Sequence, residues 1–529
     1  NPVFNLQGES VHPPLTEITF YYFGELFGYD HLRWLILLFA LGCFWLVFAI
    51  ARSQYGKKAA LFSLLLFAVI PYNVIANIQI DIDGAILPFW ILLTFWSLTR
   101  LDWHALKSSR TARWWGALLL ISILGGLLTK LSFILIFPGA AVYFWRRYKP
   151  KLNYKLLSRL LLLLLSLAVV LSGALWLLHE VYPELSSVRF LQYTTHFSAF
   201  NFTNRNYSQL LYLVTKSALL LSPFLLLLFS VKKFWRRYEF WLWYIAGGLL
   251  FYLVLFDFSN RTVDRYMMFL ILPLVFIGGD ALAHWFKAAQ DLVGRSLIIK
   301  GLLISLIVLF PLGAGLALSS NKILPLVPKT AYLEQVKNLD FNFLLPFSSG
   351  SGPLGFYMSV KFIVVFWLIS LTAIAVWHIY QSAKFKIIAN SVFLTATLIY
   401  CLLFNAELAY GFAYGSPDKV AKDILEAVVN NDRIEKVITY NDAGVYELAS
   451  ADKYQWRFYT QPLFAEGSKR KMRNYVGYYV VIDFPEINKQ SVFWRYLQSC
   501  VTVAQVTDKK VNGYIFDCRS GNVNMLSQE

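Results

Sequence analysis

Charge is scarce in this 529-residue chain: Asp, Glu, Lys and Arg make up only 15% of it, against about 25% in an average soluble domain. That scarcity excludes both a disordered chain and a surface solvated on all sides. The sequence also lacks a paired-cysteine zinc pattern, a phosphate-cradling glycine loop and a nucleophile elbow. Cysteine is rare. Of four, Cys43 and Cys401 fall inside apolar runs, which leaves Cys500 and Cys518 as a pair near the C-terminus. What is abundant is apolar and aromatic surface, at 57% and 17% of residues. It is gathered in runs of about 20 residues, long enough to cross a bilayer. Length alone suggests about three or four soluble domains, and the hydropathy forbids them.

The second imbalance is of sign, with 48 Lys and Arg against 31 Asp and Glu, a net charge of +17. A nucleic-acid partner needs such charge gathered on one exposed face. Here the basic residues sit in short clusters between apolar runs, so no nucleic-acid partner is expected. Twelve spans are predicted at 33–51, 59–78, 84–99, 113–129, 131–145, 160–178, 209–230, 240–257, 266–285, 300–318, 361–380 and 387–405. With the first running inward, the loops on the inner side hold 22 Lys and Arg against Asp102, Glu239 and Asp291. From Ser416 onward there are 15 basic and 14 acidic residues, and everything else holds 11 and 14. The basic excess marks the cytoplasmic side. The N-terminal segment and the tail are then expected outside. The chain does not open on Met, and no signal peptide precedes the first apolar run, so it reads as a fragment or processed product.

The expected fold is an α-helical polytopic membrane protein with a C-terminal extracytoplasmic α/β domain. Residues 1–32 form an outer loop with an interfacial helix, 33–405 the transmembrane domain and 406–529 the outer domain. Ser416-Pro417-Asp418 starts a helix, with a capping hydroxyl, Pro at the first position and acid in the first turn. Strands are predicted at 436–440, 475–483, 501–507 and 513–518, with a helix near Phe493. Cys500 and Cys518 flank the last strand pair, and an oxidising compartment lets them bridge. Two unpaired thiols are the alternative.

Ionisable groups at membrane depth are costly and mark cavities or sites. Seven positions stand out on the outer side. Asp81 and Asp83, in Asn77-Ile78-Gln79-Ile80-Asp81-Ile82-Asp83-Gly84, share one side of an extended segment. They can hold a cation, serve as base and helper, or form a solvated turn. Lys130, between two apolar runs, can snorkel to the interface or meet a lipid-borne phosphate. Arg261 and Arg265 can grip phosphate oxygens with the guanidinium fork or pair with Asp257 or Asp264. His179 and His196 lie among aromatics on the loop 179–208, where a lone His is more often a structural hydrogen-bonder than a ligand.

In order, His12-Pro13-Pro14-Leu15, Gly28-Tyr29-Asp30-His31-Leu32-Arg33, Asp83-Gly84-Ala85-Ile86-Leu87-Pro88, Gly126-Leu127-Leu128-Thr129-Lys130 and Asp264-Arg265-Tyr266 follow one another along the chain. This series resembles the protein O-mannosyltransferase and lipid A aminoarabinose-transferase superfamily, the glycosyltransferase family 39-like membrane enzymes of the C-type fold. The resemblance covers about the first 285 residues. It implies transfer of a sugar from a polyprenyl-phosphate donor to an extracytoplasmic acceptor, in a multi-pass protein of a bacterial or archaeal cell membrane.

By resemblance, Asp83 is the second-loop acid that orients or supports the base, and Lys130 and Arg265 match basic positions that can hold the donor phosphate; Asp81 is a further catalytic candidate, and Arg261, His12 and Tyr266 are further candidates for that phosphate. His196 resembles a family histidine sometimes associated with a divalent metal. The acid two residues before the Pro pair in the closest pattern is Val11 here. The family's catalytic acid precedes the His-Pro-Pro element, where this chain has Glu9 as its sole acid and the base can lie upstream of Asn1. A span ahead of Asn1 reconciles the family's extra span with the twelve counted. The readings of other classes are a transporter or lipid flippase, and a non-catalytic scaffold whose outer domain binds a partner.

Overall fold

A computed structural model of the chain describes residues 15–78, 82–106, 108–148, eight positions between 162 and 180, 207–233, 235–255, 264–293, 295–348, 355–380 and 382–527. They form a mostly helical membrane protein with a C-terminal α/β domain, in two compact units: the described residues from 15 to 255 and 265 to 287 make the N-terminal unit, and those from 288 to 527 the C-terminal unit.

In the N-terminal unit, α1 (Leu15–Phe27) is a 13-residue helix too short to span, with Glu25 exposed and accepting from Tyr29 Oη at 2.7 Å. It leads to α2 (Leu32–Gln54), one long apolar helix. The span expected at 59–78 is broken: α3 (Lys57–Val69) and α4 (Pro71–Ile78) meet at 61°. Pro71 explains the break, since it has no N–H to continue the ladder and its ring clashes with the preceding turn. A five-residue π-turn, Ile82–Ile86, then feeds α5 (Leu87–Arg100). Next come α6 (Arg110–Thr129), capped by Ser109, and a 3-10 turn Leu131–Leu135 ahead of α7 (Ile136–Tyr148). The run expected as one span at 209–230 is bent by 96° between α8 (Tyr207–Leu221) and the 3-10 segment from Pro223. Ser222 there adopts φ 66°, and proline again ends the ladder. Helices α9 (Glu239–Leu249) and α10 (Ile271–Val293) complete the unit.

Aromatic rings fill its middle, with Trp241 stacked on Phe276 at 4.7 Å and Phe95 against Phe240 at 4.1 Å. Helices α3 and α10 approach closely because residue 279 is glycine: a Cβ there would strike Ser63, whose hydroxyl donates to the Val275 carbonyl at 3.0 Å. Among the described residues six helices are long and apolar enough to cross a membrane, or eight if each bent pair is one span. Most of the span expected at 160–178 lies outside the described residues.

The C-terminal unit holds three long helices, α11 (Arg295–Leu318), α13 (Val360–Ile379) and α14 (Ala383–Tyr410). Between the first two come β1 (Lys322–Ile323), α12 (Thr330–Lys337), β2 (Phe343–Ser348) and β3 (Gly355–Ser359). The three strands form a small sheet that the sequence reading missed. Residues 343–347 are buried throughout, so they show none of the alternation that marks a half-buried strand.

Beyond α14, Ser416 Oγ accepts from Lys419 N at 3.3 Å and starts α15 (Pro417–Val429), as the cap motif requires. A five-stranded sheet follows in the order β5-β4-β6-β8-β7. Its strands are β4 (Val437–Tyr440), β5 (Tyr454–Phe458), β6 (Tyr478–Ile482), β7 (Val501–Asp508) and β8 (Val511–Asp517). Alternation along β6 sends Tyr478, Val480 and Ile482 to the α15 side and Tyr479 and Val481 to the other, where α17 (Pro462–Arg473) and α18 (Val492–Gln498) pack. The short α16 (Val445–Ser450) adds Leu448 to the α15 side. Cys500 and Cys518 are bridged, joining the start of β7 to the end of β8. Strand β5 and helices α16 and α17 were absent from the sequence reading.

Candidate active site

The site is built from three chain breaks in the N-terminal unit. The first is the Ile82–Ile86 π-turn, which carries Asp83 and delivers Leu87 and Pro88 to the first turn of α5. It nests against α4 because residue 84 is glycine, where a Cβ would run into the Ala76 carbonyl. The second is Lys130, an extended residue (φ −158°, ψ 139°) between α6 and the following 3-10 turn. Its N–H closes α6 on the Gly126 carbonyl at 3.0 Å, while its own carbonyl accepts from Phe133 N at 3.0 Å. The third is the 3-10 turn Asp264–Leu270, which presents Tyr266.

Residues at or just after each break, Leu87 and Pro88, Ser132, and Tyr266, help wall one narrow cavity of about 30 Å³, with Asn73, Tyr244 and Tyr252 among others. It has room for two or three water-sized groups, at ~10–15 Å³ each. Tyr252 stacks on Tyr266 at 5.8 Å and on Phe269 at 5.6 Å, forming an aromatic wall. Asn73 is held by its amide donating to the Phe67 carbonyl at 2.5 Å, and Asn77 Nδ2 donates to the Asn73 carbonyl at 2.7 Å. Ser132 Oγ is buried at the wall and has no hydrogen-bond partner among the described residues. An orphaned buried hydroxyl costs about 1–3 kcal/mol, which a polar ligand in the cavity would recover.

Of the residues singled out by sequence, Tyr266 lines the cavity directly and Lys130 stands two positions from Ser132. Glu9, His12, Asp81, His196 and Arg261 lie outside the described residues, as do the side chains of Asp83 and Arg265. Among the described residues no group of three His, Cys, Asp or Glu side chains could hold a metal ion.

Sequence reasoning missed Asn73, Ser132, Tyr244 and Tyr252, which are polar but uncharged and carry no motif. It also passed over Lys216, only 5% exposed on α8, the helix packed against α4. A lysine inside an apolar run was the available signal. A second missed cluster centres on Asp280, 1% exposed, which accepts from Tyr238 Oη at 2.5 Å and pairs with Arg237 at 3.4 Å and His284 at 3.3 Å. None of these four lines the cavity.

Two solved structures align over most of the chain. They are ArnT from Cupriavidus metallidurans in the apo state, at 16% identity, and the same protein bound to undecaprenyl phosphate, at 15%. Each covers 96% of this chain and 88% of that one, with a TM-score of 0.49. No curated protein matches the sequence. Residues 11–176 match the family described as dolichyl-phosphate-mannose-protein mannosyltransferase. That segment, under a third of the chain, contains the motifs from His12 to Lys130.

Proposed function

We propose that the chain transfers a sugar from a polyprenyl-phosphate carrier to an acceptor hydroxyl outside the cytoplasm, inverting the anomeric centre. What supports this reading is one cavity whose wall takes in Tyr266, Leu87 and Pro88 just after the Asp83 turn, and Ser132 two residues after Lys130, with an orphaned hydroxyl at Ser132. The family matched by residues 11–176 is named for a dolichyl-phosphate sugar donor, which is the same donor class.

The acceptor oxygen forms a bond to the anomeric carbon as the bond from that carbon to the phosphate oxygen breaks. The acceptor proton needs a base, and the departing phosphate needs positive charge and hydrogen-bond donors. Lys130 and Arg265 are assigned to the phosphate, with Ser132 and Tyr266 as neutral donors beside them. Asp83 supports or supplies the base. A divalent metal at His196 stays part of the proposal only through the family resemblance.

The test is turnover. Purified chain given a radiolabelled polyprenyl-phosphate sugar and an acceptor should release lipid phosphate, and Lys130→Ala, Asp83→Asn and Arg265→Ala should each slow release at least about tenfold. Unchanged turnover in all three would remove the site assignment. The two bent helix pairs favour a second reading, since broken helices recur in transporters. Movement of the labelled lipid between leaflets with no sugar transferred would support it.

A further inference from the structure

The C-terminal unit holds a second concavity. A groove of about 420 Å³ runs between α13 and α14, lined by Leu368, Thr372, Ala373 and Val376 on one side and Ile388 and Ala389 on the other. That volume lies within the ~300–1,000 Å³ of ordinary ligand sites, and its wall is apolar apart from the Thr372 hydroxyl. The two helices form a hairpin, α13 ending at Ile379 and α14 starting at Ala383. Their other ends lead into β3 and α15, so the turn stands at the membrane face opposite the α/β domain. The groove follows α13 from Val365 to Val376, ending three residues before that helix closes at Ile379. From Val365 to Val376 is about 16 Å at 1.5 Å per residue, the depth of one leaflet of a ~30 Å hydrocarbon core.

The mouth is basic and aromatic. Lys384 is exposed. Lys386 Nζ lies 5.6 Å from the Trp377 ring centroid, and Tyr380 packs on Phe385 at 4.8 Å. Helix α11 runs alongside α14, with Gly301 against Ser391 and Ile387, level with the groove. No Asp or Glu occurs in the sequence between Asp340 and Glu407, so neither helix of the hairpin supplies a counter-charge near the turn.

We propose that this groove is a binding site for an anionic phospholipid of the leaflet opposite the α/β domain. One acyl chain lies along Ala373 and Ala389, and the headgroup sits at Lys384 and Lys386. A chain one leaflet long fits the groove's length better than a polyprenyl tail does, and juxtamembrane lysines attract anionic headgroups.

The full chain, purified and stripped of lipid, is titrated with phosphatidylglycerol or phosphatidylcholine of identical acyl chains, and bound lipid is counted by native mass spectrometry. Phosphatidylglycerol should be retained roughly tenfold more strongly. Lys384→Ser with Lys386→Ser, both at the surface, should abolish that preference while leaving weak binding of both lipids. Ala373→Phe, which fills the groove, should reduce both. Lys57→Ser with Lys58→Ser, an equal loss of charge elsewhere, should change nothing. Equal retention of the two lipids overturns the proposal, as does unchanged binding to Ala373→Phe or displacement of phosphatidylglycerol by equimolar polyprenyl phosphate.

Discussion

Ser132 tests the cavity at a single atom. Its hydroxyl is buried without a partner among the described residues, so the fold gains nothing visible from it. Ser132→Ala should leave thermal stability unchanged or raise it by about 1 kcal/mol, while slowing sugar transfer roughly tenfold. Lost stability with undiminished turnover would make it a structural residue. Glu486 is a second single-group case, on the loop after β6. Burial raises its carboxyl to about 7, with the Asp483 carboxylate adding to the effect and Lys489 opposing it. A raised acid binds its proton more readily folded than unfolded. Its contribution is therefore fully present below the unfolded value near 4.5 and is lost as pH rises through about 7. Thermal unfolding of the full chain at pH 5 and pH 8 should show Glu486→Gln gaining stability relative to the parent at the higher pH, by roughly 1–3 kcal/mol. A constant difference between the two proteins would contradict that.

At the scale of elements, the turn that carries Asp83 exists because residue 84 has no side chain. Gly84→Ala must push the Ile82–Ile86 turn off α4, which moves Leu87 and Pro88 and the cavity wall they form. Activity should fall by at least about a hundredfold, since ~1 Å of misplacement costs that much. Folding yield in detergent should fall far less, because the long helices bury most of the apolar surface. Near-parental activity would show that the turn tolerates displacement. These breaks also mark what the sequence could not reveal. Apolar length located the long helices, and Ser416-Pro417 located the start of α15, because hydropathy and capping are local properties. The bends at Pro71 and Pro223 were legible in principle, since proline ends a helical ladder wherever it stands. Strands β2 and β3 were not, because a strand buried on both faces reads as a plain apolar run. For the site, charge drew attention to Lys130 and to the Asp83 turn. Asn73 and Ser132 were invisible because their importance lies in burial, which only the packed chain defines.

For the whole molecule, the uneven spread of positive charge is a statement about orientation that can be tested without any substrate. The loops expected inside carry 22 of the 48 Lys and Arg with three acids, an asymmetry that holds the chain one way round in the bilayer. The disulfide between Cys500 and Cys518 accords with an oxidising compartment for the α/β domain. Cys43 and Cys401 are buried and should react little, so introduced cysteines can be read against a low background. Ser108 and Ser382, both exposed, lie in loops expected inside, and exposed Ser450 lies in the α/β domain. In intact cells a membrane-impermeant maleimide should label Ser450→Cys and spare Ser108→Cys and Ser382→Cys, and permeabilisation should expose both. The opposite pattern would reverse the membrane sidedness. It would move the Lys384 and Lys386 cluster to the outer face and place the α/β domain in a reducing compartment. Labelling of Ser108→Cys alone would show that the two units do not share the sidedness that their charge assigns.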